Sequence, residues 1–325
     1  MPKRRLWRAC IYTLVSSSRH ILASSLLDNQ IQTLESAMLV AQTSADKSPV
    51  HRLRTSTRRM EAQLVLVSLL PAMPEHTDQA NEVQRLLRRV RRAAATVRDM
   101  DVQIDMIEAD MPDSAAVHTG THGDQVRKEA QKLLKKLHKK RSRETTELTG
   151  TLKTESKDLA EAMRALQSVI QGAPTGRPHT FSALELSEQV QNWFAARARV
   201  VLHADRHPDR AHALQRLQHL DETTLHDLRK IAKQCRYMAE SLPEGSPEAR
   251  KLAQRFEYLQ ESGGTWHDWL TLECTAARVL GKKSPIAERY RNHRNAALAE
   301  FHLQLALEFT TGKHGLRTAK HPYRA

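Results

Sequence analysis

Apolar residues recur at helical spacing along almost all of this 325-residue chain, and no stretch alternates like a strand. Aromatics make up 4% of the residues and glycines number 11, while Leu, Ala, Gln, Arg and Glu abound. That mixture favours helices and disfavours a sheet. Helix-breaking residues fall at Asp46–Pro49, Pro71–Pro74, Met111–Gly123, Gly172–Pro178, Pro208, Pro243–Pro247 and Ser284-Pro285. They delimit roughly ten helices. The densest cluster, Gly172-Ala173-Pro174-Thr175-Gly176-Arg177-Pro178, lies near the middle. The expected fold is all-α, in two similar helical halves over 16–171 and 179–311 joined by a linker over 172–178. Residues 1–15 read as a tail or helix start, and 312–325 as a polar tail. A chain of this length can bury a large core, as one domain or as two packed halves.

Lys and Arg number 51 against 37 Asp and Glu, a net charge of +14. Such an excess predicts attraction to nucleic acid, anionic lipid or polyphosphate, although a soluble basic protein with no particular anion has the same balance. The cysteines, Cys10, Cys235 and Cys274, are odd in number and form no Cys-x-x-Cys. This pattern predicts reduced thiols and a cytoplasmic setting. No apolar run approaches the ~18–20 residues that span a bilayer. Lys3-Arg4-Arg5 followed by Leu6 to Val15 imitates a signal peptide. Arg8 interrupts it and no small-residue cleavage site follows, so it reads as a tail or helix start.

One basic motif occurs twice. His51-Arg52-Leu53-Arg54-Thr55-Ser56-Thr57-Arg58-Arg59 and His226-Asp227-Leu228-Arg229-Lys230-Ile231-Ala232-Lys233 each place a His, a cation three residues on and another seven on. Those positions share one helix face. In the helix near His51, Arg54, Thr55 and Arg58 surround the histidine, with Arg52 and Arg59 bordering them. Leu53, Met60, Leu64 and Val67 lie opposite. In the helix near His226, Arg229, Lys230, Lys233, Arg236 and Tyr237 surround it, and Leu228, Ile231, Cys235 and Leu242 lie opposite.

A third helix puts Arg85, Arg88, Arg89 and Arg92 on one face, away from Leu86, Leu87, Val90 and Ala94. A fourth aligns Lys128, Lys132, Lys135 and Lys139 opposite Leu133, Leu134 and Leu137. A single charged run is usually a solvated face, but solvated faces mix signs because Glu–Lys pairs stabilise helices and like pairs do not. Along the sequence these four faces are nearly free of acid, so an anion is expected along them. Arg98-Asp99 and His267-Asp268 follow the two motifs at similar distances. An Asp beside a basic face can hold an arginine in position, act as a base or ligate a metal. With no second carboxylate grouped nearby, Arg98, Asp99 and Asp268 are expected to form structural ion pairs.

Four blocks in order carry a family resemblance. They are His51-x-x-Arg54-x-x-x-Arg58-Arg59, Arg98-Asp99-Met100-Asp101-Val102, Leu225-His226-Asp227-Leu228-Arg229-Lys230-x-x-Lys233-x-x-Arg236-Tyr237-x-x-Glu240, and Leu259-Gln260-x-x-Gly263-x-x-x-His267-Asp268. Together, over about residues 20 to 310, the chain resembles the CHAD family, the conserved-histidine α-helical domains. The resemblance implies two pseudo-repeated antiparallel helical bundles facing each other across a basic cleft or pore. It also implies non-catalytic binding of inorganic polyphosphate, with some members associated with polyphosphate granules. By position it makes His51, Arg54, Arg58, His226, Arg229, Lys230, Lys233, Arg236 and Tyr237 anion-facing. Arg59, Arg85, Arg88, Arg89, Arg92, Lys132, Lys135 and Lys139 join them from helix geometry. Two positions depart from the pattern: Glu61 stands where the first motif often has another Arg, and Thr55 aligns with Lys230. The Glu-x-Glu-x-Lys signature of the triphosphate tunnel domain, a frequent neighbour, is absent, so polyphosphate hydrolysis has no support.

A polyphosphate chain has no bases to read, so recognition rests on cation spacing, bidentate arginine forks and mobile lysine charges. Affinity is expected to fall steeply with salt, by analogy with DNA. His51 and His226 either add charge as pH falls or stay neutral and structural. A nucleic-acid binder is the first rival reading, but few aromatics offer stacking platforms, Tyr237 being the exception. A metal-dependent enzyme is the second. His118-x-x-x-His122 and His203-x-x-x-His207 have helical ligand spacing, yet no Cys or carboxylate cluster accompanies them. No Gly-x4-Gly-Lys-Ser/Thr loop suggests ATP chemistry, and no cofactor or metal is expected. A scaffold that meets granule proteins is the third, and it is compatible with polyphosphate binding. Trp7, Trp193, Trp266 and Trp269 read as core or interface anchors.

Overall fold

The computed structural model describes residues 27–70, 73–111, 121–172, 182–202, 217, 219–242 and 246–311. Among them the chain is all-helical, in eight helices: α1 (residues 27–43), α2 (Lys47–Ser68), α3 (Thr77–Asp110), α4 (Thr121–Gln171), α5 (Ala183–Val201), α6 (Glu222–Glu240), α7 (Pro247–Leu280) and α8 (Pro285–Thr311). Among the described residues, two helices run through positions where the breaker pattern places an interruption. Pro49 and Gly123 fall within the first turns of α2 and α4 instead of ending a helix. A first-turn proline removes an N–H that has no intrahelical partner anyway. Pro208, most of the Gly172–Pro178 cluster and the two terminal tails lie outside the described residues.

Local chemistry fixes the helix starts. Ser182 and Glu185 form a reciprocal capping box on α5: the Ser182 N–H donates to Glu185 Oε2 at 2.7 Å and the Glu185 N–H to Ser182 Oγ at 3.2 Å. Asp221 caps α6 by accepting the Thr224 N–H at 2.7 Å. Ser246 and Ser284 cap α7 and α8, with Pro247 and Pro285 in the first helical position. After α7, Gly281 turns the chain with φ 101°, a left-handed conformation that a side chain would strain.

The chain forms two compact units. Unit 1 takes the chain up to Arg98, then Arg143–Ser187 and Tyr237–Ala249; unit 2 takes Asp99–Ser142, Glu188–Arg236 and the chain from Arg250 on. Each unit thus draws on segments from before and after the central breaker cluster. The unit 1 core joins Leu34 of α1, Leu53, Met60, Leu64 and Val67 of α2, Leu86, Leu87 and Val90 of α3, and Leu148, Leu152 and Leu159 of α4. Each such side chain stabilises by about 1.5–3 kcal/mol when fully buried. The Gln42 amide crosses from α1 to α4, donating to Leu152 O at 3.1 Å and Ser156 Oγ at 2.6 Å.

The unit 2 core joins Met100, Ile104 and Ile107 of α3, Leu133 and Leu137 of α4, Leu272 and Ala276 of α7, and Ile286 and Tyr290 of α8. Elsewhere in unit 2, Trp266 stacks on Phe301 at 5.8 Å, and Phe194 meets Phe256 at 4.9 Å with the rings tilted by 56°. Trp266 is therefore a core anchor. No helix among the described residues is long and apolar enough to cross a membrane.

Candidate functional site

In unit 1, α2 begins one turn before His51 and buries Leu53, Met60, Leu64 and Val67, the side opposite the basic stripe. His51, Arg52 and Arg59 are exposed, while Arg54, Thr55 and Arg58 are half-buried. The Nε atoms of Arg54 and Arg58 are buried, so the stems of both side chains are packed. His51, Arg52, Thr55 and Arg59 also line a groove of about 650 Å³ that α1 completes with Gln32, Thr33 and Ser36. Arg59 is held from two sides within unit 1. Its guanidinium lies 5.8 Å over the Tyr237 ring, and Nη2 is 3.2 Å from Glu240 Oε2.

The α3 row does not stay free of acid. Arg85 pairs with Glu82 at 2.5 Å, Arg89 with Glu155 of α4 at 2.9 Å, and the neighbouring Arg91 with Glu61 of α2 at 2.6 Å. Arg88 and Arg92 are exposed and make no ion pair among the described residues. Burial raises the Glu61 carboxyl above its usual range, and Arg91, its hydrogen-bond partner, opposes that rise together with Arg58 and Arg88.

In unit 2, α6 begins one turn before His226 and buries Leu228, Ile231 and Cys235 on the side expected from periodicity; Leu242, just past the helix, is buried in unit 1. The His226 ring lies 4.7 Å from that of His267 on α7, so the structure joins two histidines that stand far apart in the sequence. Arg229 is only 7% exposed. Its stem passes close to Gly263, where a Cβ would lie 3.3 Å from Arg229 Cγ and 2.8 Å from Phe301 Cε2. Lys230 is exposed and pairs with Asp227 at 2.9 Å; Arg236 pairs with Glu257 of α7 at 2.5 Å. Tyr237, expected to face an anion, is 8% exposed and lies beneath Arg59 in unit 1.

Also in unit 2, Lys128, Lys132, Lys135, Lys136, Lys139 and Lys140 of α4 are exposed and make no ion pair among the described residues. The expectation of four nearly acid-free faces therefore holds for this row alone. The other three meet carboxylates, partly from their own helix and mostly from a neighbour that linear spacing does not reveal. Within Arg98-Asp99-Met100-Asp101-Val102, the fully buried carboxylate is Asp101, which accepts from Arg141 Nε at 2.5 Å. Arg98 makes no ion pair among the described residues, and Asp268 is half-buried beside the histidine pair. Asp101 stood in the quoted block, but nothing in the spacing separates its role from that of Asp99. The side chains of His118, His122, His203 and His207 lie outside the described residues. Among those described, no group of three or more His, Cys, Asp or Glu side chains is placed to hold a metal ion.

A family model for the CHAD domain matches residues 25–277, most of the chain. The chain belongs to the CHAD domain family, a polyphosphate-related family. Two solved structures share the fold. PptA from Streptomyces chartreusis aligns with a TM-score of 0.61 and 13% identity, covering 88% of this chain and 98% of its own. The CHAD domain from the plant Ricinus communis aligns with a TM-score of 0.53 and 18% identity, covering 88% of each chain. At those identities the likeness speaks to the fold. Comparison with curated proteins finds no match.

Proposed function

We propose that this chain binds inorganic polyphosphate without catalysis, along the basic faces of α2, α3, α4 and α6. The observation that carries the reading is the paired make-up of the two motif helices. On each, the apolar side enters a core, while arginines with packed stems and exposed lysines or histidines occupy the other side. Packed stems lower the entropy lost when a guanidinium closes on a phosphoryl group, and exposed lysines add charge that follows a flexible chain. The family's polyphosphate relation points to the same ligand. Placement at polyphosphate granules, in the cytoplasm and beside granule proteins, extends this reading. Nucleic acid is disfavoured because Tyr237 and Trp266 are buried, which removes them as stacking platforms.

The test is a titration with polyphosphate of defined lengths against charge-matched DNA, over a salt series, with the Arg54→Glu/Lys233→Glu double variant as control. Preference for polyphosphate, lost in the double variant, is expected. Equal binding to DNA, or no loss on charge reversal, would reduce the stripes to a diffuse basic surface.

A further inference from the structure

Glu61 is out of place on a face that binds anions. It lies one turn after Arg58 on α2, and its Oε2 accepts from Arg91 Nη1 of α3 at 2.6 Å. Arg58 and Arg88 act on the same carboxylate. One guanidinium of unit 1, that of Arg91, is thus hydrogen-bonded to an internal acid, and the charges of Arg58 and Arg88, which belong to the proposed polyphosphate face, act on that carboxylate as well. The Glu61 side chain is 19% exposed and that of Arg91 33%, so the pair is shielded from water more than the exposed Arg85–Glu82 pair, at 47% each. A carboxylate and a phosphoryl group use the same two-pronged contact with a guanidinium. Glu61 takes one N–H of Arg91, on Nη1, and a phosphoryl group that used this N–H would have to displace it.

We propose that Glu61 is an internal competitor for the anion: its carboxylate engages Arg91 in place of a phosphoryl group and so lowers the affinity of the unit 1 face. The inference rests on the polyphosphate reading above. A phosphoryl group that reaches Arg91 Nη1 displaces the Glu61 carboxylate. The ligand's gain at that arginine is then a difference between two similar contacts instead of a whole one. The Arg91 side chain is 33% exposed, so its charge keeps access to water when the carboxylate is neutralised.

The test compares the wild-type chain with Glu61→Gln, which keeps the shape, and Glu61→Met, an apolar side chain of similar length. Each is titrated with long-chain polyphosphate at several salt concentrations, with a denaturant melt to check folding. Both variants are expected to bind roughly three- to tenfold tighter, with a salt slope steeper by about one, as for one added phosphate contact. Adding Arg91→Ala to Glu61→Gln should remove that gain. Unchanged or weaker binding by folded variants, or failure of both to fold, would overturn the proposal and leave Glu61 as a brace between α2 and α3. A wild-type chain that does not prefer polyphosphate sinks the polyphosphate reading itself. A wild type that binds, matched by both variants, sinks only the role of Glu61.

Discussion

Gly263 shows how much one missing atom decides. A Cβ there would meet the ring of Phe301, which is fully buried with Trp266 stacked on it, so the ring has little room to yield. Overpacking of this kind costs about 1–3 kcal/mol, while Gly→Ala inside a helix returns about 1 kcal/mol. Gly263→Ala is therefore expected to destabilise by up to about 2 kcal/mol in a urea melt and to disturb Arg229, whose stem lies beside it. The next residue is the control: a Cβ on Gly264 meets nothing within 4 Å, so Gly264→Ala should stabilise by up to about 1 kcal/mol. Equal melts for the two variants would mean that α7 does not approach α8 as closely as described. Helical period alone does not separate these adjacent glycines, because the difference between them is a contact with residue 301.

At the scale of the element, α3 and α4 present two kinds of basic face. Arg85 and Arg89 of α3 are engaged by carboxylates, whereas the α4 lysines from Lys128 to Lys139 form an exposed row about 17 Å long with no ion pair among the described residues. The triple variant Lys132→Gln/Lys135→Gln/Lys139→Gln removes charge but no packing. Its stability should stay within about 0.5 kcal/mol of wild type, and its salt slope for polyphosphate should flatten by up to about three. An unchanged slope would show that the row does not touch the ligand. Most of the element level was legible in the sequence. The buried faces of α2 and α6 follow from Leu53, Met60, Leu64, Val67, Leu228, Ile231 and Cys235, because an apolar stripe at helical period has only one way to leave water.

At the scale of the whole molecule, each unit has its own core and its own basic faces, and the two unit 2 cysteines report on that core separately. Cys235 is fully buried, and burial, with Glu308 adding, holds its thiol well above the usual range. Cys274 is exposed, though burial and then Glu273 raise its thiol too. A thiol reagent with peptide mass mapping should label Cys274 in the native protein, and Cys235 only as denaturant opens unit 2. Equal native rates at the two positions would mean that the core around Arg255 and Glu308 opens without global unfolding. The net charge of +14 acts at this scale as well, drawing polyanions from a distance that salt shortens.

The sequence by itself determined the helical class, the sides of α2 and α6 that enter a core, and the excess of cations on their other sides. Each is a property of near neighbours, repeated every turn. Only the tertiary structure decided which carboxylates meet which arginines. Glu61 reaches Arg91 across 30 positions, Glu155 reaches Arg89 across 66, and Glu240 reaches Arg59 across 181. The same holds for the His226–His267 contact, for the burial of Asp101 against Arg141, and for the membership of each compact unit. Pairings of this kind depend on the register in which one helix packs against another. That register is set by the summed fit of many side chains, and no local period records it.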